Sequence, residues 1–123
     1  MSKFKQQGFT NTFRNARKGM RLVLKSEMNI RIHCAIAVLV TLFGFMLGFS
    51  AVKMCILLLT IAMVISTEML NSAIEFALDS VFHNKYSRMV GMAKDISAGA
   101  VMFVSIIAVF VGIILFGSEF FYK

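Results

Sequence analysis

Three stretches of the chain carry no charged side chain: residues 32 to 52, 54 to 67 and 96 to 118. The first and third each reach the ~20 residues that an α-helix needs to cross hydrocarbon. The second, "MCILLLTIAMVIST", is shorter, and completes a span only by running on into "EMLNSAIEFALD". The pattern predicts an all-α membrane protein whose helices cover about 32–51, 53–79 and 95–117. Ahead of them, "GFTNTFRNARKGMRLVLKSE" has a helical period. Phe9, Phe13, Ala16, Met20, Val23 and Leu24 share one face, and Arg14, Arg17, Lys18, Arg21 and Lys25 lie away from it. Such a helix suits the membrane interface, its basic side toward anionic headgroups, although a flexible basic tail has the same composition. Residues 1–30 are therefore read as cytoplasmic and interfacial, and 1–123 as a single membrane domain. If the first helix continues to Glu27, that acid falls in the centre of the apolar face, in line with Phe9. It then points at other polar groups of a bundle. If the chain turns first, Glu27 faces solvent.

The second span ends in a polar stripe. Glu68, Asn71, Ser72, Glu75 and Asp79 share an arc of roughly 100° on one helix. A stripe of this kind faces protein or water, not lipid. Counting from Lys53, about 20 residues cross the hydrocarbon, so Glu68 lies just inside one boundary and Asp79 beyond it. The acids are graded from lipid depth to the aqueous surface, which suits chemistry between a lipid headgroup and a water-soluble partner. A helix–helix hydrogen-bonding seam would account for Asn71 and Ser72 but poorly for three acids. "AKDISAGAV" opens the third span. There Asp95 favours a helix N-terminus and small residues permit close approach of helices, whereas Lys94 is a cation at the unfavourable end and calls for an anion. Glu27, Glu68, Glu75, Asp79 and Asp95 gather at one interface. Two or three carboxylates with an asparagine form a reasonable magnesium site, shared with substrate phosphates. A further carboxylate near lipid depth is placed to take a proton from an alcohol.

Composition agrees. Hydrophobic residues make up 59% of the 123 and charged residues 15%, too few to solvate a soluble domain of this size. The net charge of +7 is uneven: the basic residues crowd before the first span and between the second and third, with only Lys53 and Lys123 at the other ends. The positive-inside rule puts the N-terminus and the 80–94 loop in the cytoplasm and the C-terminus outside. The first apolar run starts late and lacks a small-residue cleavage site, so insertion is expected to use the mature helices. Cys34 and Cys55 are expected at different depths, too far apart for a disulfide. Gly44 and Gly48 form a GxxxG compatible with close helix packing. No phosphate-binding glycine loop and no H-E-x-x-H motif is present.

"EMLNSAIEFALD", "AKDISAGAV" and a preceding "KSEMNIRIH" together resemble the small prokaryotic integral-membrane lipid kinases, the diacylglycerol kinase and undecaprenol kinase family. The resemblance covers essentially the whole chain. It implies a homotrimer in a prokaryotic cell membrane, each subunit with three spans and an amphipathic surface helix. It also implies transfer of the ATP γ-phosphate to a lipid hydroxyl with Mg2+. By the same resemblance Glu68 is the catalytic base, Glu27 and Glu75 hold Mg-ATP as its metal ligands, and Asn71, Lys94 and Asp95 join them on the nucleotide side. Arg31, His33 and Ala98 are implied at the lipid substrate. His33 stands where diacylglycerol-specific members have glutamate, and Ala98 where they have serine, which favours undecaprenol over diacylglycerol. Asn15 replaces a tyrosine usual in the family, which bears on nucleotide contacts from the surface helix. A small ion or drug transporter subunit is the alternative outside this class, because intramembrane acids also carry protons.

Overall fold

The computed structural model describes residues 8–122, and those residues form four helices: α1 Phe9–Ser26, α2 Met28–Met46, α3 Ala51–Phe82 and α4 Arg88–Phe121. The last three are each long and apolar enough to cross a membrane. At a rise of ~1.5 Å per residue, the 32 residues of α3 and the 34 of α4 exceed the ~30 Å of hydrocarbon and run on past it. α3 lies between the other two spans, contacting α4 along much of its length and α2 over a shorter stretch.

Helix boundaries differ from those the hydropathy pattern predicts, and at Gly48, Ser50 and Ser87 a local capping group decides. α1 stops at Ser26. Glu27 adopts extended backbone (φ −115°, ψ 110°) between two helices, so the helical count that set it in line with Phe9 does not apply. α2 begins at once after this break and ends at Met46, several residues before 51. There Phe49 N–H donates to the Gly44 carbonyl (3.0 Å) and Gly48 N–H to that of Phe45 (3.1 Å), a Schellman closure. Gly48 takes φ 79°, the left-handed geometry that glycine enters without a Cβ penalty. The GxxxG pair is thus split between two duties. Gly48 makes the turn, while a Cβ on Gly44 would come within 3.0 Å of the Phe49 ring. Ser50 then caps α3, its hydroxyl accepting from Lys53 N–H at 3.2 Å. α3 runs to Phe82 and closes through His83 and Asn84, both at positive φ, with Asn84 N–H on the Asp79 carbonyl. Ser87 caps α4 through Val90 N–H (3.2 Å), which shortens the expected 80–94 loop to residues 83–87.

The bundle is thin. Its buried apolar side chains are Val23, Ile30, Leu57, Val64, Val90 and Leu115, and the buried polar ones are Glu68, Ser72 and Ser97. Elsewhere large apolar side chains point outward, Leu39, Leu59, Met63 and Phe103 among them. An apolar exterior around a sparse interior fits a lipid solvent. Hydroxyls on these spans bond back into their own helix, Thr60 to the Ile56 carbonyl (2.8 Å) and Thr67 to that of Met63 (2.6 Å). Cys34 and Cys55 are both free thiols.

Candidate active site

The inward face of α3 can be followed by its buried positions: Leu57, Val64, Glu68, Ser72. The spacing is that of a helix face, so the polar stripe is the direct continuation of the apolar seam and not a separate surface. Glu68, 8% exposed, is where the seam changes from hydrocarbon to carboxylate. From α2, His33 meets it, Nε2 lying 3.0 Å from Oε1. His33 follows Ile30 by one turn, and Ile30 is the most deeply buried large side chain of the described residues. The register of α2 against α3 is therefore anchored next to this pair.

Further along the stripe, Asn71 and Glu75 are half-buried. The Oδ1 atom of Asn71 is buried without a hydrogen-bond partner, which leaves an acceptor in need of a donor or cation. Asp79 is engaged. The ammonium of Lys94, on the second turn of α4, donates to its Oδ1 at 2.7 Å, and Glu75 adds to the negative charge that Lys94 feels. This supplies the anion that a cation near a helix N-terminus calls for. Asp95 is exposed, beside Lys94. Asp79, Asn84, Tyr86, Gly91, Lys94 and Asp95 line a cavity of about 240 Å³ at this end of the bundle. The Tyr86 ring lies across Gly91 so closely that a Cβ there would be 2.7 Å from its hydroxyl oxygen. Sequence reasoning did not single out Tyr86 and Gly91. Their signal was the glycine in the first turn of a helix just after an aromatic residue.

A second, apolar cavity of about 370 Å³ lies between α2, α3 and α4, with Ala37, Leu57, Ile61, Ala108 and Phe116 among its walls. His33 closes it at the end where Val64 precedes Glu68 by one turn. A hydrocarbon-lined space thus ends at the His33–Glu68 pair.

The remaining candidates lie apart from this pair. Glu27 is half-buried at the α1–α2 break, and its carbonyl accepts from Arg31 N–H. Arg31 turns back, its Nη1 donating to the carbonyls of Lys25 (3.1 Å) and Leu24 (3.4 Å). It thereby caps the C-terminus of α1 and braces the break that carries Glu27. Ala98 is exposed on α4. Asn15 sits on α1, itself exposed along nearly all its length. Among the described residues no three His, Cys, Asp or Glu side chains converge as a metal cage. The donors that do face inward, the Asn71 carbonyl oxygen and the Glu75 carboxylate, are hard oxygens of the kind Mg2+ prefers. One or two such groups suffice when phosphates and water complete the shell.

Residues 14–116 match the family model for prokaryotic diacylglycerol kinase. The undecaprenol kinase of Bacillus subtilis is 32% identical over 88% of this chain and 87% of its own length. The diacylglycerol kinase of Escherichia coli K12 is 31% identical over 92% and 94% respectively. That of Synechocystis is 35% identical over 82% of this chain, which corresponds to 58% of the longer relative. With a buried carboxylate ending an apolar groove, an acidic stripe leading out of it, and a family match over most of its length, the chain belongs to the prokaryotic diacylglycerol kinase family.

Proposed function

We propose that the protein transfers the γ-phosphate of ATP to the hydroxyl of a membrane lipid alcohol, with undecaprenol the favoured acceptor and diacylglycerol the alternative. The observation that carries this reading is the position of Glu68. A carboxylate this buried, 3.0 Å from the histidine that lines the end of a hydrocarbon-walled cavity, has a lipid hydroxyl as its natural partner. Glu68 takes the hydroxyl proton, the lipid oxygen bonds to the γ-phosphorus, and the bond from that phosphorus to the bridging oxygen breaks as ADP leaves. Glu75 and Glu27 hold Mg-ATP on the aqueous side, Asn71 and Asp95 contact the nucleotide, and Lys94, oriented by Asp79, presents positive charge to the phosphates. Bound Mg2+ would neutralise phosphate charge, and the chain's own task is positioning. Arg31 acts near the lipid headgroup through the α1–α2 break it braces.

The preference for undecaprenol rests on His33 and Ala98. The Nε2 of His33 lies 3.0 Å from Glu68 Oε1 and Ala98 ends in a methyl, so neither is placed to donate to glycerol-ester oxygens. A polyprenol with a single hydroxyl loses nothing by their absence. In this reading the N-terminus and the α3–α4 turn are cytoplasmic, α1 lies in the interface with Phe9, Phe13 and Met20 toward lipid, and the active unit is a homotrimer. Incubating the purified protein in detergent micelles with γ-labelled ATP, undecaprenol and diacylglycerol tests the proposal. Label should enter undecaprenyl phosphate at least as fast as phosphatidic acid. Label in neither lipid would refute the kinase reading, and a strong preference for diacylglycerol would reverse the substrate assignment.

A further inference from the structure

A carboxylate at the burial of Glu68 is costly unless a hydrogen-bond donor meets it. The group that meets it here is His33, from a different helix, whose Nε2 lies 3.0 Å from Oε1. The imidazole is also part of the groove wall, so it touches both the hydrocarbon-lined space and the carboxylate. Two roles are open to a residue so placed: contact with the lipid headgroup, or control of the base. The contact with Glu68 decides between them. A ring nitrogen 3.0 Å from Oε1 lies against the carboxylate, where an N–H on it fixes which way the carboxylate faces and is turned away from a lipid oxygen.

We propose that His33 is a positioning residue for Glu68. This rests on Glu68 being the general base of the kinase reaction. The Nε2–H of His33 holds Oε1, and Oε2 is the oxygen that receives the lipid hydroxyl proton. As that proton moves, the bond from the lipid oxygen to the γ-phosphorus forms and the bond from the γ-phosphorus to the leaving ADP oxygen breaks. His33 keeps its own proton throughout. Its contribution is orientation, as that of the carboxylate is in a Ser-His-Asp triad, with the partners exchanged. Both members are mounted on well-anchored turns, His33 one turn beyond Ile30 and Glu68 one turn beyond Val64, each anchor being buried. A flexible surface histidine could not hold a carboxylate in one rotamer. This one can.

Two measurements test the pairing. The chain has only two histidines, His33 and His83, so ring-nitrogen NMR of ¹⁵N-histidine-labelled protein in micelles contains two imidazoles to assign. Glu68→Gln should move the His33 ring resonances and leave those of His83 in place. Unmoved His33 resonances would overturn the pairing whatever the enzyme does. Kinetically, His33→Leu should lower kcat by about tenfold to a hundredfold, the usual scale for losing an orienting partner, with KM for lipid and for Mg-ATP changed less than about twofold. His33→Gln, whose amide reaches the same position with an N–H, should recover most of that kcat. A raised lipid KM with kcat intact would assign His33 to the headgroup instead, and failure of glutamine to rescue would remove the hydrogen bond as the cause. Wild-type protein that phosphorylates no lipid alcohol would refute the kinase reading itself, an outcome the NMR arm reports separately.

Discussion

The two ends of the helical bundle carry charge in opposite ways. At the end near Ser50 and Tyr122, Lys53 donates to Glu119 (3.0 Å) and Ser118 (2.8 Å), and its ammonium sits 5.7 Å from the centre of the Phe49 ring. Phe49 in turn packs tilted against Phe116 at 4.9 Å, and Phe43 stacks on the same ring at 5.6 Å. There a cation has its anion, the anion has little exposure, and aromatic rings close over them. At the other end the acids outnumber what the fold needs. Glu68 and Asp79 have partners, but Asn71 keeps an orphaned acceptor and Asp95 is exposed beside Lys94. Both ends join α3 to α4 by an ion pair. Only at the second does a buried acceptor stay unmatched and an acid stay exposed beyond that pair, the pattern expected of a binding site and not of a structural contact.

The contrast breaks most sharply at Glu68. On the proposed roles, Glu68→Gln should reduce turnover by about a thousandfold while leaving Mg-ATP affinity nearly unchanged, since the proposed base is lost and the proposed metal ligands remain. Glu75→Gln should weaken Mg-ATP binding as well. Calorimetric titration of both variants with nucleotide checks this, and equal loss of ATP affinity in the two would sink the division of labour.

Glu27 comes next. It stands in the helix break, half-buried, held by backbone geometry that does not depend on its carboxylate. Glu27→Ala should therefore insert into membranes like the wild type yet lose at least about tenfold in kcat/KM, the scale of a lost metal or phosphate contact. Activity within twofold of wild type would leave Glu27 no role in phosphoryl transfer.

Disruption of the opposite end should have the reverse signature. Glu119→Gln leaves the Lys53 ammonium without its charged partner and should cost about 2 kcal/mol of stability. Turnover well below the melting temperature should not change. Replacing both residues, Lys53→Met with Glu119→Leu, should restore much of the lost stability because no buried charge is left behind. Thermal unfolding in micelles, alongside initial rates, separates the two effects. A loss of kcat in proportion to stability would show that the ends are coupled.

What could be read in the sequence follows the same division. The stripe from Glu68 to Asp79 was legible because burial on one helix follows from spacing alone, and the inward positions of α3 carry it on from Leu57 and Val64. The need of Lys94 for an anion was legible from helix electrostatics, and Asp79 meets it. The His33–Glu68 pair was not, because spacing within a helix says nothing about the register between α2 and α3. Nor was the break at Glu27: neither glycine nor proline marks it, and the periodicity of α1 would carry on through it. Arg31, reaching six and seven residues back to the last carbonyls of α1, is the group that braces this break. At the far end, the pairing of Lys53 with Glu119 depends in the same way on the register between α3 and α4.

The smallest expected effect concerns the lipid. Ala98 is exposed on α4, beyond the buried Ser97, so a hydroxyl added there meets no protein constraint. Ala98→Ser should leave folding, ATP affinity and the Glu68 variants' behaviour as they are. What it adds is one donor where a glycerol ester has oxygens and a polyprenol has none. A single neutral hydrogen bond contributes about 1 kcal/mol, so the ratio of kcat/KM for diacylglycerol over undecaprenol should rise about fivefold. His33→Gln should not move that ratio, since its amide, like the imidazole, is held by Glu68. The two variants measured side by side in the same micelles therefore separate reading the lipid from holding the base. A ratio that follows position 33 and ignores position 98 would place lipid recognition at the His33–Glu68 pair instead.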